Sequence, residues 1–113
     1  MPYVHIRTTA ELNDAQKSDL LETIAPLLPI LPGKNRHNAM IDLEGGCYMA
    51  MGDTAIPCAF CEIRLYRQSP ADAKEQFAAK LTSVLGEKLN VPADHVYLNY
   101  MEMDHWGLGG SLI

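Results

Sequence analysis

PCAFCEIRLYR, residues 57–67, decides the fold, because a similar stretch has already opened the chain. There the sequence runs YVHIRTT at 3–9, and its Ile6-Arg7 is matched by Ile63-Arg64. Further on, Ile41-Asp42 is matched by Leu98-Asn99 at the same offset (63 − 6 = 98 − 41 = 57). One offset that aligns two separate segments marks a duplicated unit. Each opening segment alternates as a strand does: Val4 and Ile6 share one face, and Tyr3, His5 and Arg7 share the other.

Helical patterns fill the space between these strands. Asn13 or Asp14 can cap a helix that starts near Ala15, in which Leu20, Leu21, Ile24 and Leu27 recur at helical spacing. Pro26 and Pro29 should kink or tighten its end, and Pro32-Gly33-Lys34 closes it. Residues 39–43 read as a short strand that Gly45-Gly46 turns, and 47–51 as a small extra strand before a loop at 52–57. In the second unit Ser69 is expected to cap, with Pro70 at the first helical position and Asp72 as return partner of a capping box. That helix should bury Phe77, Ala78, Leu81, Val84, Leu85 and Leu89. Pro92 interrupts, a strand follows at 96–101, and a glycine-rich apolar tail ends the sequence at 106–113.

A strand–helix–strand unit with a right-handed crossover makes its two strands parallel. Two such units side by side predict an α+β sandwich, a four-stranded sheet with both helices on one face. The bare face then carries Cys58, Phe60, Tyr66, Tyr97 and Met101. A closed oligomer would cover that face and the sheet edges, with 47–51 and the tail as short inter-subunit strands.

At 113 residues the chain reads as one domain, 1–113, and 48% apolar with 20% charged residues is ordinary for a globular protein. No run approaches the ~20 apolar residues of a membrane span, and no leader is visible, so the expected compartment is the cytoplasm. Export without a signal peptide stays open. A net charge of -5 argues against a nucleic-acid partner, which needs a basic face. Cys47, Cys58 and Cys61 are an odd number, better suited to reduced thiols than to a disulfide framework. Cys58 and Cys61 have redox-pair spacing, yet residues three apart on a strand point to opposite faces, which favours packing. His5, His37, His95 and His105 lie on separate segments, and no ligand spacing points to a metal.

Pro2 is the residue with the most chemistry to offer. Methionine ahead of a small residue is normally removed, which would make this proline a secondary amine at the chain start. A free α-amine has an ordinary pKa of about 7.7–8.0, and burial lowers it toward the range of a general base. Taken alone, a proline at this position does nothing chemical, and Lys34 alone reads as a helix C-terminal cation.

MPYV at the start, PGK at 32–34, PCAFC at 57–61, VYLNY at 96–100 and WGLGGS at 106–111 occur in one order. Together they resemble the macrophage migration inhibitory factor family of the tautomerase superfamily, with a pattern that lies without a gap from Lys34 through Asn99. The resemblance implies a homotrimer with an active site at each subunit boundary and no cofactor. In it Pro2 would be the base that moves a proton during keto–enol conversion of a small α-keto acid such as phenylpyruvate. Lys34 would hold the substrate carboxylate. Tyr97 would border the base, and Asn99 would bond the substrate's far end, both from a neighbouring subunit. Trp106 and Leu108 would form an apolar rim, with Tyr66 nearby. This chain departs from the pattern in places. Tyr66 stands where the well-known mammalian member has isoleucine, and Leu108 replaces an aromatic. The segment before Trp106 is two residues shorter, and one extra residue lies between Pro2 and Lys34. Arg36, Arg64 and Arg67 are further candidates for carboxylate binding. A cytokine-like binding protein with a receptor, and a thiol oxidoreductase using Cys58 and Cys61, are the competing readings.

Overall fold

Pairing across the sheet reproduces the duplication. The computed structural model describes residues 1–53 and 57–113. Its strands β1 (Pro2–Thr8), β2 (Met40–Glu44), β3 (Ala59–Tyr66) and β4 (Val96–Met103) form one sheet in the order β2-β1-β3-β4. β1 runs parallel to β2, β3 runs parallel to β4, and the two units meet where β1 and β3 pair antiparallel. Helix α1 (Asp14–Ile24) begins at Asp14 and helix α2 (Ala71–Leu89) at Ala71, so the repeat offset holds for the helices too (71 − 14 = 57).

The core lies between the sheet and the helices. Val4, Ile6, Cys61, Ile63 and Leu65 face inward from β1 and β3, and Phe77, Leu81 and Leu85 meet them from α2. From the first unit Leu20, Ile24, Leu28 and Leu31 complete it, whereas Leu21 stays 38% exposed. Pro26 and Pro29 wind the chain into a 3-10 helix, Ala25–Ile30, whose period is three residues rather than 3.6. Ala25, Leu28 and Leu31 therefore share the buried face, and Leu27 is only partly covered.

Asn13 caps α1 with a complete capping box, its Oδ1 accepting from the Gln16 N–H at 2.8 Å. The second helix starts differently from expectation. Its N-cap is Pro70, at the place equivalent to Asn13, and no side chain caps it. Ser69 precedes a proline, which disfavours helical backbone there. Its N–H donates instead to Glu102 Oε2 at 2.6 Å, and Asp72 Oδ1 accepts from Ala73 rather than reaching back.

Residues 47–51 form no strand among the described residues beyond an isolated bridge at Met51. The turn ahead of them is tight. A Cβ on Gly45 would lie 2.7 Å from Leu12 Cγ and 2.8 Å from the Ala10 carbonyl, so no larger residue fits without displacing backbone. The loop expected at 52–57 falls in part on 54–56, which lie outside the described residues. Cys58, expected on the bare face, is buried, its carbonyl accepting from the Thr8 hydroxyl at 3.0 Å. The tail folds into a hairpin of β5 (Gly107–Leu108) and β6 (Ser111–Leu112), with Gly109 and Gly110 at φ +60 and +89 in its two-residue turn. No described helix is long and apolar enough to cross a membrane.

Candidate active site

Where β1 begins, the chain start sits at the mouth of the molecule's main cleft. The Tyr66 N–H donates to the Met1 carbonyl at 3.1 Å, which fixes the first residues beside the end of β3. Pro2 pairs with Leu65 in the antiparallel register and is buried, while Met1 stays partly open. Both line a cleft of about 660 Å³, a size suited to a small molecule, and Trp106 and Leu108 form part of its wall.

Lys34 follows the turn after the 3-10 helix, where Gly33 at φ +78 turns the backbone and the Lys34 N–H bonds Leu31. Its Nζ donates to the Tyr66 carbonyl at 2.9 Å, so the ammonium is held at the same strand end as the chain start. An ammonium has three donors, and this bond leaves two for a ligand. The Met1 amine feels both neighbours: burial, then the Lys34 charge and its hydrogen bond, pushes it from 8.0 down to about 6.

The structure thus brings Pro2, Trp106 and Leu108 together at one cleft, whereas Lys34, tied to the Tyr66 carbonyl beside the chain start, is not among the residues that line it. Tyr66 does not line the cleft; Arg67 covers its ring, 5.1 Å from the centroid. Tyr97 and Asn99 are not brought there. They face outward from the edge strand β4, with Tyr97 62% exposed above a separate 200 Å³ hollow beside Met49, Phe60 and His95.

The three arginines can now be told apart. Arg36 is paired with Glu22 at 2.9 Å, and Arg67 lies over Tyr66. Arg64 lines the cleft. His37 and His105 line it too, roles that their isolated positions in the sequence did not suggest. The usable signal was proximity to marked residues, since His105 precedes Trp106 and His37 follows Lys34 by three.

The parallel register also gathers His5, Asp42 and Glu44 on the bare face, with donor atoms within 4.8 Å of one another. Their groups are engaged with neighbours: Tyr3 O–H donates to Asp42 at 2.7 Å, His5 Nε2 lies 2.6 Å from Glu44, and Arg7 Nε lies 3.7 Å from Glu44. The cysteines do not form a pair. Cys58 and Cys61 are both buried free thiols, and burial pushes the Cys61 thiol up to about 12, far from the thiolate that redox chemistry needs.

Comparison with known proteins identifies the family and the fold. Residues 1–112 match the family model described as macrophage migration inhibitory factor. The chain belongs to the macrophage migration inhibitory factor family. A macrophage migration inhibitory factor of Xenopus laevis is 28% identical over 109 residues, covering 96% of this chain and 94% of that one. D-dopachrome decarboxylase-B of the same animal is 24% identical over 110 residues, covering 96% and 92%. Among solved structures, Leishmania major MIF2 superposes with a TM-score of 0.92 at 15% identity, covering 100% of this chain and 97% of that one. A homologue from Prochlorococcus marinus reaches 0.87 at 20% identity, covering 97% of each. The family's α+β fold, with two helices on a mixed four-stranded sheet, is therefore the fold of this chain.

Proposed function

We propose that this member is a cofactor-independent keto–enol tautomerase of small α-keto acids, with phenylpyruvate as a test substrate and Pro2 as its base. The observation that carries the reading is the position of Pro2: buried at the start of β1, lining the cleft, with the Lys34 ammonium beside the chain end. Removal of Met1 turns the Pro2 nitrogen from an amide into a secondary amine in that setting. The amine takes a proton from the carbon next to the carbonyl, and the resulting ammonium returns a proton to the carbonyl oxygen. The nitrogen ends as it began, so no further group is required. Lys34 holds the carboxylate, an attraction that strengthens as water is excluded. Trp106 and Leu108 supply that exclusion. Three copies form the working assembly, each lending Tyr97 and Asn99 to a neighbour's cleft, which accounts for their exposure on β4.

The test is phenylpyruvate turnover by Met-free protein beside Pro2→Gly. Loss of turnover in the variant is expected, with assembly size unchanged by light scattering. Turnover indifferent to this substitution would leave the binding-scaffold reading in its place.

A further inference from the structure

The chain carries 14 acids against nine lysines and arginines, yet the cleft reverses that balance. Among the described residues, those lining it include Arg64, His37 and His105 and no aspartate or glutamate. We infer that the cleft takes a substrate with two anionic groups, a short oxo-dicarboxylate, with one carboxylate at Lys34 and the second at Arg64. This inference rests on the tautomerase reading for what happens to the substrate, and on geometry alone for how it binds.

Both cations are referenced to β3. Arg64 lines the cleft from the bare face, opposite Tyr3 in the register with β1, and Lys34, which does not line it, is fixed beside the chain start at the Tyr66 carbonyl, two residues further along β3. Two residues of strand is about 7 Å, enough to seat two carboxylates at the ends of a short chain. Pro2 lines the same cleft and pairs with Leu65, between those two levels, where the carbon next to a carbonyl would lie. Arg64 is held only by an ion pair, Nη2 to Glu62 at 3.7 Å, which is longer than a hydrogen bond and which a bound carboxylate would displace; the Tyr3 hydroxyl across from it already donates to Asp42. A guanidinium binds a carboxylate through two parallel N–H bonds, which makes it the better partner for a fixed second anion. His37 and His105 line the same cleft.

The test compares two ligands of equal chain length, 2-oxoglutarate and 2-oxopentanoate, which differ by the distal carboxylate. Trp106 is the sole tryptophan and lines the cleft, so its emission follows occupancy. With Met-free protein, 2-oxoglutarate should bind at least about 10-fold more tightly, the worth of a charge-assisted bond. In Arg64→Leu that gap should close to within about 3-fold, with 2-oxopentanoate affinity kept, and Arg64→Lys should fall between. Equal affinities in the wild type, or a gap that survives Arg64→Leu, overturn the inference. Exchange of the carbon-bound protons of 2-oxoglutarate in heavy water, followed by NMR, reports the proton chemistry separately. A gap that depends on Arg64 without exchange upholds the two-anion cleft and sinks Pro2 as base; exchange without a gap does the reverse.

Discussion

Removing Met1 and then titrating the activity tests the central chemistry most directly. The Met1 amine is pushed from 8.0 to about 6, with burial the largest cause and Lys34 the next. For an amine so placed, the free-base fraction at pH 7 rises from about 9% to about 90%, roughly tenfold. Pro2 lies one residue further into the sheet and is buried, so the amine that Met1 removal creates there should move in the same direction for the same reasons. A base must be unprotonated, so kcat/KM for phenylpyruvate should be low in acid and climb to a plateau as the pH passes the amine's pKa. That profile reports the free enzyme, so its inflection is independent of how tightly substrate binds. It should fall well below the ordinary 7.7–8.0 of an α-amine. Lys34→Met should shift it upward while leaving it below that range, because burial persists. Protein verified by mass spectrometry to retain Met1 should show at most background turnover. An inflection at or above the ordinary range, one indifferent to Lys34→Met, or full activity with Met1 in place would each refute the reasoning.

Other outcomes follow from the packing. Phe77→Ala removes a fully buried ring and should cost about 3–5 kcal/mol in urea unfolding. Of the three thiols, Cys47 alone is partly exposed, so native protein at pH 8 should give one fast reaction with a disulfide reagent, and three once unfolded. Glu102 is held below its ordinary 4.5 by the Lys74 ammonium and then by the Ser69 N–H. Its stabilisation is thus complete above that value and lost as pH falls through the lower folded one. Glu102→Gln should cost about 1 kcal/mol at neutral pH and flatten the acid limb of the stability curve. Gly45→Ala should destabilise, since the new methyl meets the Ala10 carbonyl at 2.8 Å; an unchanged denaturation midpoint would show that the turn can shift.

The four-stranded sheet, the parallel pairing within each unit and the inward face of β1 were legible because they depend on a period of two and on the repeat offset; the antiparallel meeting of β1 and β3 was not. Details that depend on competition between groups were not. Ser69 has the chemistry of a cap, but the Glu102 carboxylate, 33 residues away, captures its N–H. The two prolines announced a tightened helix, yet the change of period that buries Leu28 and leaves Leu27 partly covered emerges only once the 3-10 turns are counted. At the cleft, Pro2, Trp106 and Leu108 were legible through their motifs, as was Lys34 beside the chain start. Arg64 could not be ranked above Arg36 or Arg67, because that ranking depends on which of them Glu22 and Tyr66 engage. His37 and His105 reach the cleft from loops, whose paths no periodicity records.

The repeat has a consequence for symmetry. Shifted by the common offset, Pro2 falls on Ala59, which opens β3 as Pro2 opens β1. Ala59 follows Cys58 in mid-chain, so its nitrogen is locked in a peptide bond whatever processing does to the ends. Two near-equivalent halves thus cannot be chemically equivalent: fusing them leaves a single terminus for the pair. Under the proposed mechanism, the base can therefore stand at the first strand of one half only, and the first strand of the other carries no such demand.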